Sequence, residues 1–130
     1  MEQQCGVQTL NGKEYRCFFE LALHVIGGKW KPVILYHLSR HSAMRFGELK
    51  RSLPDVTQRM LTKQLRELEA DQIVTRTVFR QVPPKVEYAL TELGRELIPV
   101  FDQMRSWGIM YEKAVRVPRD QTSDAKEDSD

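Results

Sequence analysis

The spacing of apolar residues changes twice along this chain, and that order limits the folds open to it. Up to Leu68 the apolar side chains recur at three and four, the helical period. Between Ile73 and Leu90 they partly alternate, and from Leu93 the helical period returns. Helices, one pair of short strands and a closing helix leave a mainly α domain with a small β-hairpin. A length of 130 residues fits one such domain.

Within that frame, Phe18, Leu21, Ala22, Val25 and Ile26 form one stripe, closed by Gly27-Gly28. Trp30, Val33, Ile34 and Leu38 share the face of a second helix, with Pro32 in its first turn. Phe46, Leu49 and Leu53 mark a short third helix, stopped by Pro54. Thr57 reads as the N-cap of a fourth, with Val56 and Leu61 at the positions of a hydrophobic staple. That helix buries Leu61, Leu65 and Leu68, joined by Met60. Residues 73–79 and 86–90 read as paired strands around an exposed basic loop, with Tyr88 in the core. The last helix starts near Thr91. Leu93, Leu97, Val100, Met104, Trp107 and Tyr111 are spaced 4, 3, 4, 3, 4, a heptad-like seam that Phe101 widens. Pro99 predicts a kink in it. Residues 1–14 read as a flexible arm, 15–117 as the domain and 118–130 as a disordered acidic tail.

Net charge is only +2, but its distribution is uneven. Residues 118–130 hold five acidic and two basic groups, whereas 44–85 hold nine basic and five acidic ones. A basic face is the electrostatic footprint of a nucleic-acid binder. The Phe46–Asp71 segment has helix-turn-helix proportions, turning around Pro54-Asp55-Val56. The second helix of such a motif enters the major groove of double-stranded DNA N-terminus first. Here that end carries Thr57, Gln58, Arg59, Thr62 and Lys63, with Arg66 one turn on. Arginine and lysine pair with guanine, glutamine pairs with adenine, and threonine packs on the thymine methyl. Arg76, Arg80 and Lys85 are placed to reach phosphates or the adjacent minor groove, and Arg45 at the start of the motif is a further phosphate candidate. Lys29 is either a further phosphate contact or a plain surface cation.

Other chemistry is sparse. There is no glycine-rich phosphate loop and no nucleophile paired with a base in a recognisable motif, so no enzyme is expected. His24, His37 and His41 make no metal-ligand spacing, and no cofactor is implied. Met1-Glu2-Gln3-Gln4 has no basic n-region and no apolar h-region, and no apolar run nears the roughly 20 residues of a membrane span, so a cytoplasmic protein without a membrane partner is expected. Cys5 and Cys17 are too few for a disulfide scaffold and are thiols at rest in a reducing cytosol.

The chain resembles the HxlR family, a branch of the winged helix-turn-helix regulators related to MarR. The resemblance rests on Cys17 followed by Ile26-Gly27-Gly28-Lys29-Trp30, then Arg45-Phe46-Gly47-Glu48-Leu49, the run from Leu61 to Asp71, Val82-Pro83-Pro84-Lys85-Val86-Glu87-Tyr88, and Leu90-Thr91-Glu92-Leu93-Gly94. It implies a homodimer joined through the terminal helices and reading a pseudo-palindromic operator, with repression the expected outcome. It also implies a sensing role for Cys17 toward an electrophile, quinone or oxidant, with Cys5 as a candidate resolving or intersubunit thiol. Phe18 stands where proline is usual, and Gln72 where glycine precedes the first wing strand. Two other readings stay open at this point: a winged helix that docks proteins without binding DNA, and a thiol redox protein with incidental DNA affinity.

Overall fold

The computed structural model describes residues 6–126, with side chains to residue 116. The chain divides into two units, Met1–Arg95 and Glu96–Asp130. The first runs β1 (Gln8–Leu10), β2 (Lys13–Tyr15), α1 (Phe18–Ile26), α2 (Lys31–Ser39), β3 (Met44–Arg45), α3 (Phe46–Ser52), α4 (Gln58–Ala70), β4 (Val74–Phe79), β5 (Lys85–Leu90) and α5 (Glu92–Arg95). The second carries α6 (Ile98–Lys126).

The expected arm is a hairpin from residue 8 onward. β1 and β2 pair antiparallel across Asn11-Gly12, whose φ angles are both positive at 52° and 81°. A two-residue turn of that hand matches strand twist, and Asn-Gly is its strongest sequence signal. The flanking runs, three residues each and mostly polar, show no strand period of their own. The turn is tied to the far side of the unit: Asn11 Nδ2 and Lys13 Nζ both donate to Asp71 Oδ1, at 3.0 and 2.9 Å. Residues 1–5, including Cys5, lie outside the described residues.

The core of this unit is built on α2, α3, α4 and the base of the second sheet, from Ile34, Leu35, Leu38, Met44, Leu49, Leu53, Val56, Leu61, Leu65, Leu68, Ile73, Val74 and Leu90. The buried face of α2 is Lys31, Ile34, Leu35 and Leu38, spaced i, i+3, i+4, i+7. Trp30 is only half-buried and Val33 is exposed, so the face is rotated from the one expected. The displacement follows from Lys31: a cation lies on the apolar stripe, where hydrophobicity alone would not put one.

The fourth helix starts as its sequence requires. Thr57 Oγ1 accepts the Met60 N–H at 3.0 Å, and the staple residues Val56 and Leu61 are both buried. At its other end Ile73 N–H reaches Leu68 O and Gln72 N–H reaches Glu69 O, the two bonds of a Schellman cap. That cap needs a left-handed residue, and Gln72 supplies it at φ 65°. A left-handed non-glycine costs about 1–2 kcal/mol, against about 0.5–1 kcal/mol for glycine's greater freedom when unfolded. Gln72→Gly is therefore expected to stabilise the fold by roughly 0.5–1 kcal/mol. Urea denaturation checks this, and a lower midpoint would contradict it.

The second sheet has three strands in the order β3-β5-β4, all antiparallel. β4 and β5 pair from Val74↔Leu90 to Phe79↔Lys85, leaving residues 80–84 as the tip. β3 pairs Met44 with Tyr88 and Arg45 with Glu87. Two residues are too short to show a period, and the sequence reading gave no strand there. Tyr88 is half-buried and not a core residue: Lys85 to Ala89 of β5 are all half-buried, and only Leu90 at its end reaches the core.

The single kinked helix expected from Thr91 is two. α5 ends at Arg95, two turn residues follow, and α6 opens at Ile98 with Pro99 in its first turn. There the missing proline N–H breaks no ladder bond, so no kink is needed. Leu93 and Leu97 fall before α6, and the seam on that helix begins at Val100. The backbone stays helical past Pro118 to Lys126, beyond the point where a disordered tail was expected: residues 119–126 hold no glycine or proline, and an existing helix gains a bond with each residue added. Residues 127–130 lie outside the described residues.

Candidate nucleic-acid interface

α3 and α4 make the helix-turn-helix. The turn is closed by Val56 N–H donating to Leu53 O at 3.2 Å, and buried Leu53 and Val56 fix it to the core. With Leu61, Leu65 and Leu68 turned inward, the opposite face of α4 must be solvent-facing and polar. Gln58, Arg59, Thr62, Lys63 and Arg66 line one open groove of about 630 Å³, with Glu67 at its edge. A second cleft of about 360 Å³ lies between α4 and the hairpin, lined by Thr62, Arg66, Glu69, Arg76 and Tyr88. Thr62 and Arg66 belong to both, so helix and hairpin present one continuous surface.

The other candidate residues are not among those that line either depression. Thr57 is spent on its capping bond. Arg45, exposed, is the N-cap of α3, where its backbone N–H donates to Glu48 Oε1 at 2.9 Å. Arg80 is exposed in the hairpin loop beside Val82, which is 98 % exposed. Lys85 is drawn back along the hairpin: its Nζ lies 4.6 Å from the Phe79 ring centre and 3.5 Å from Glu87 Oε2. Lys29, exposed, sits over the Trp30 ring at 4.9 Å.

Three residues of this region escaped sequence reasoning. Tyr88 lines the helix–hairpin cleft. Lys31 and Glu67 form an ion network with Lys63: Glu67 Oε1 is 2.7 Å from Lys31 Nζ, and Glu67 Oε2 is 2.6 Å from Lys63 Nζ. The Lys31 ammonium, and then Lys63, hold the Glu67 carboxyl down at about 2. The i, i+4 spacing of Lys63 and Glu67 was visible in the sequence, but nothing local points to Lys31.

Cys17 is a free, half-buried thiol at the N-cap of α1, where its carbonyl accepts the Leu21 N–H at 3.1 Å. No residue of α1 is buried, and Phe19 is 72 % exposed. Along α6, Val100, Met104, Trp107, Met110 and Tyr111 are all exposed, and the Trp107 and Tyr111 rings stack at 5.3 Å.

A family model described as HxlR-like helix-turn-helix matches residues 25–116. The chain belongs to the HxlR-like helix-turn-helix family. It is 59 % identical over 92 residues to YybR of Bacillus subtilis (strain 168), an HTH-type transcriptional regulator, covering 71 % of this chain and 73 % of that one. Among solved structures, the redox regulator HypR in its reduced form superposes with a TM-score of 0.71 at 54 % identity, covering 76 % of this chain and 97 % of that one. Quinone-bound YodB from B. subtilis superposes with a TM-score of 0.61 at 34 % identity, covering 72 % and 96 %. The fold is thus the winged helix-turn-helix, with α4 in the place of the recognition helix and β4–β5 as the wing. The HxlR-like chain is a DNA-binding transcription regulator. Among its described residues no helix is long and apolar enough to cross a membrane.

Proposed function

We propose that this regulator binds a pseudo-palindromic operator as a homodimer, and that it represses. The observation that carries the reading is the shared surface of α4 and wing: Gln58, Arg59, Thr62, Lys63 and Arg66 on the helix, continuous with Arg76 on β4. Two elements thereby offer cations and amides to adjoining grooves of one duplex. In this reading Arg59 and Gln58, in the first turn of α4, meet base edges. Arg45, Lys63, Arg66, Arg76 and Arg80 take phosphates, with Lys85 supporting the wing. A surface for docking proteins would carry apolar anchors where this one carries arginine and glutamine.

The exposed apolar residues of α1 and of α6 suit burial against a second copy. Effector control falls to Cys17, the thiol at the start of α1. The likeness to HypR, a redox regulator, and to quinone-bound YodB supports an oxidant, electrophile or quinone as its partner.

Titrating the protein against DNA upstream of its own gene, at two salt concentrations and with or without diamide, tests all of this. Salt-sensitive binding well above that of random duplex is expected, as is loss with diamide that Cys17→Ser prevents. Arg59→Ala should weaken operator binding by about 1–3 kcal/mol while leaving random-sequence affinity little changed. Equal loss on both duplexes would make Arg59 a phosphate contact, and no loss on either would remove α4 from the major groove.

A further inference from the structure

Lys31 is the unit's one buried charged residue among those described, at 9 % exposure. It shares the inward face of α2 with Ile34, Leu35 and Leu38. Burying an ammonium is costly unless a partner compensates it, and here the partner is Glu67 on α4 at 2.7 Å. Glu67 is divided between two cations. Its Oε1 faces Lys31 and its Oε2 faces Lys63, at 2.6 Å. The two cations also face different depressions: Lys63 lines the groove of the recognition helix, and Lys31 lines a cavity on the other side, beneath the N-terminal hairpin. Glu67 borders both.

The charges decide what this does. A lone Lys63–Glu67 pair is neutral, and a phosphate could recruit Lys63 only by uncovering a carboxylate that repels the same phosphate. With Lys31 behind it, the carboxylate stays compensated when Lys63 leaves. The three groups together carry +1, and the mobile cation is the exposed one.

We propose that Lys31 is a positioning residue for DNA binding: by neutralising Glu67 from inside the fold, it releases Lys63 to the DNA backbone. The inference rests on the DNA reading of α4 and assigns the phosphate contact of Lys63 to a residue that never meets DNA. It makes Glu67 a brake on Lys63 that Lys31 holds off.

The test is a double-mutant cycle read on a duplex from upstream of the gene and on a random duplex, with salt dependence measured for each variant. Lys31→Met should lower affinity by roughly three- to tenfold and reduce the salt slope by about one. In a Glu67→Gln background the same change should do nothing further, because no carboxylate is left to hold Lys63, whereas loss of a distant positive charge would weaken binding in both backgrounds. Adding Glu67→Gln to Lys31→Met should restore wild-type affinity and slope, and Lys31→Arg should keep both. Circular dichroism establishes that each variant is folded. If Lys31→Met does not fold, Glu67→Gln alone decides: affinity at or above wild type supports the proposal, and lower affinity overturns it. An unchanged slope in Lys31→Met, or no rescue by Glu67→Gln, would each overturn it and leave DNA binding standing. Failure of the wild-type protein to bind either duplex would overturn both readings.

Discussion

Trp107→Glu is expected to convert the protein to a monomer and to weaken operator binding by about 10²–10⁴-fold, the gain that joining two binding modules supplies. Trp107 is 62 % exposed on α6, stacked on Tyr111 and flanked on the same seam by Val100 and Met104. A helix that shows water this much aromatic and aliphatic surface is built to have it covered. In a two-fold dimer each substitution occurs twice, so two carboxylates would enter the apolar seam. A buried charge left without a partner costs about 3–5 kcal/mol, and the lost indole contact adds to that cost. The DNA surface on α4 and the wing belongs to the other unit and keeps its cations. Salt-sensitive binding to random duplex should therefore persist at a reduced level while operator preference collapses. Sedimentation velocity and a titration on full and half operators check both halves of the prediction. A dimer that survives Trp107→Glu would place the subunit contact elsewhere.

What the sequence made legible, and what it hid, divides along a physical line. Local chemistry was readable: the Thr57 cap, the Val56–Leu61 staple, the Leu61–Leu65–Leu68 stripe and the β4–β5 pair all follow from residues within a few positions of one another. The candidate DNA surface followed from these, because fixing the buried face of α4 fixes its exposed one. Contacts across the fold were not readable. Lys31 looks like the polar start of a helix until α4 places Glu67 against it, thirty-six positions away in the chain. Asp71 looks like a plain helix end until Asn11 and Lys13 both bind it. Short elements were lost for a different reason: three-residue β1 and two-residue β3 carry no measurable period, and only the Asn11-Gly12 turn betrayed the first of them. Proline misled at position 99, where its meaning depends on whether a helix passes through it or begins there.

Gly94→Ala is expected to destabilise the first unit by about 3 kcal/mol or more, at the upper end for overpacking. Helix propensity argues for the opposite sign, since alanine in α5 gains about 1 kcal/mol over glycine. Space decides against it. A Cβ at residue 94 would lie 2.4 Å from the Ile73 carbonyl oxygen and 3.3 Å from Ile73 Cγ2 and from Leu90 Cδ2. The first of these atoms is backbone, and it is already engaged: Ile73 O accepts the Thr91 N–H at 3.0 Å, and Thr91 Oγ1 in turn accepts the Gly94 N–H. α5 therefore cannot yield without breaking the bonds that seat it on the base of the wing, between Ile73 and Leu90. The wing's angle to α4 depends on the same base, so the cleft holding Arg66, Arg76 and Tyr88 should open. Urea denaturation measures the first effect. The second is read from DNA binding in a folded fraction at low temperature, where the variant should lose affinity beyond its unfolded population. Stability within about 0.5 kcal/mol of wild type, the span of an ordinary surface substitution, would mean that α5 moves freely and that the wing is not set by its base.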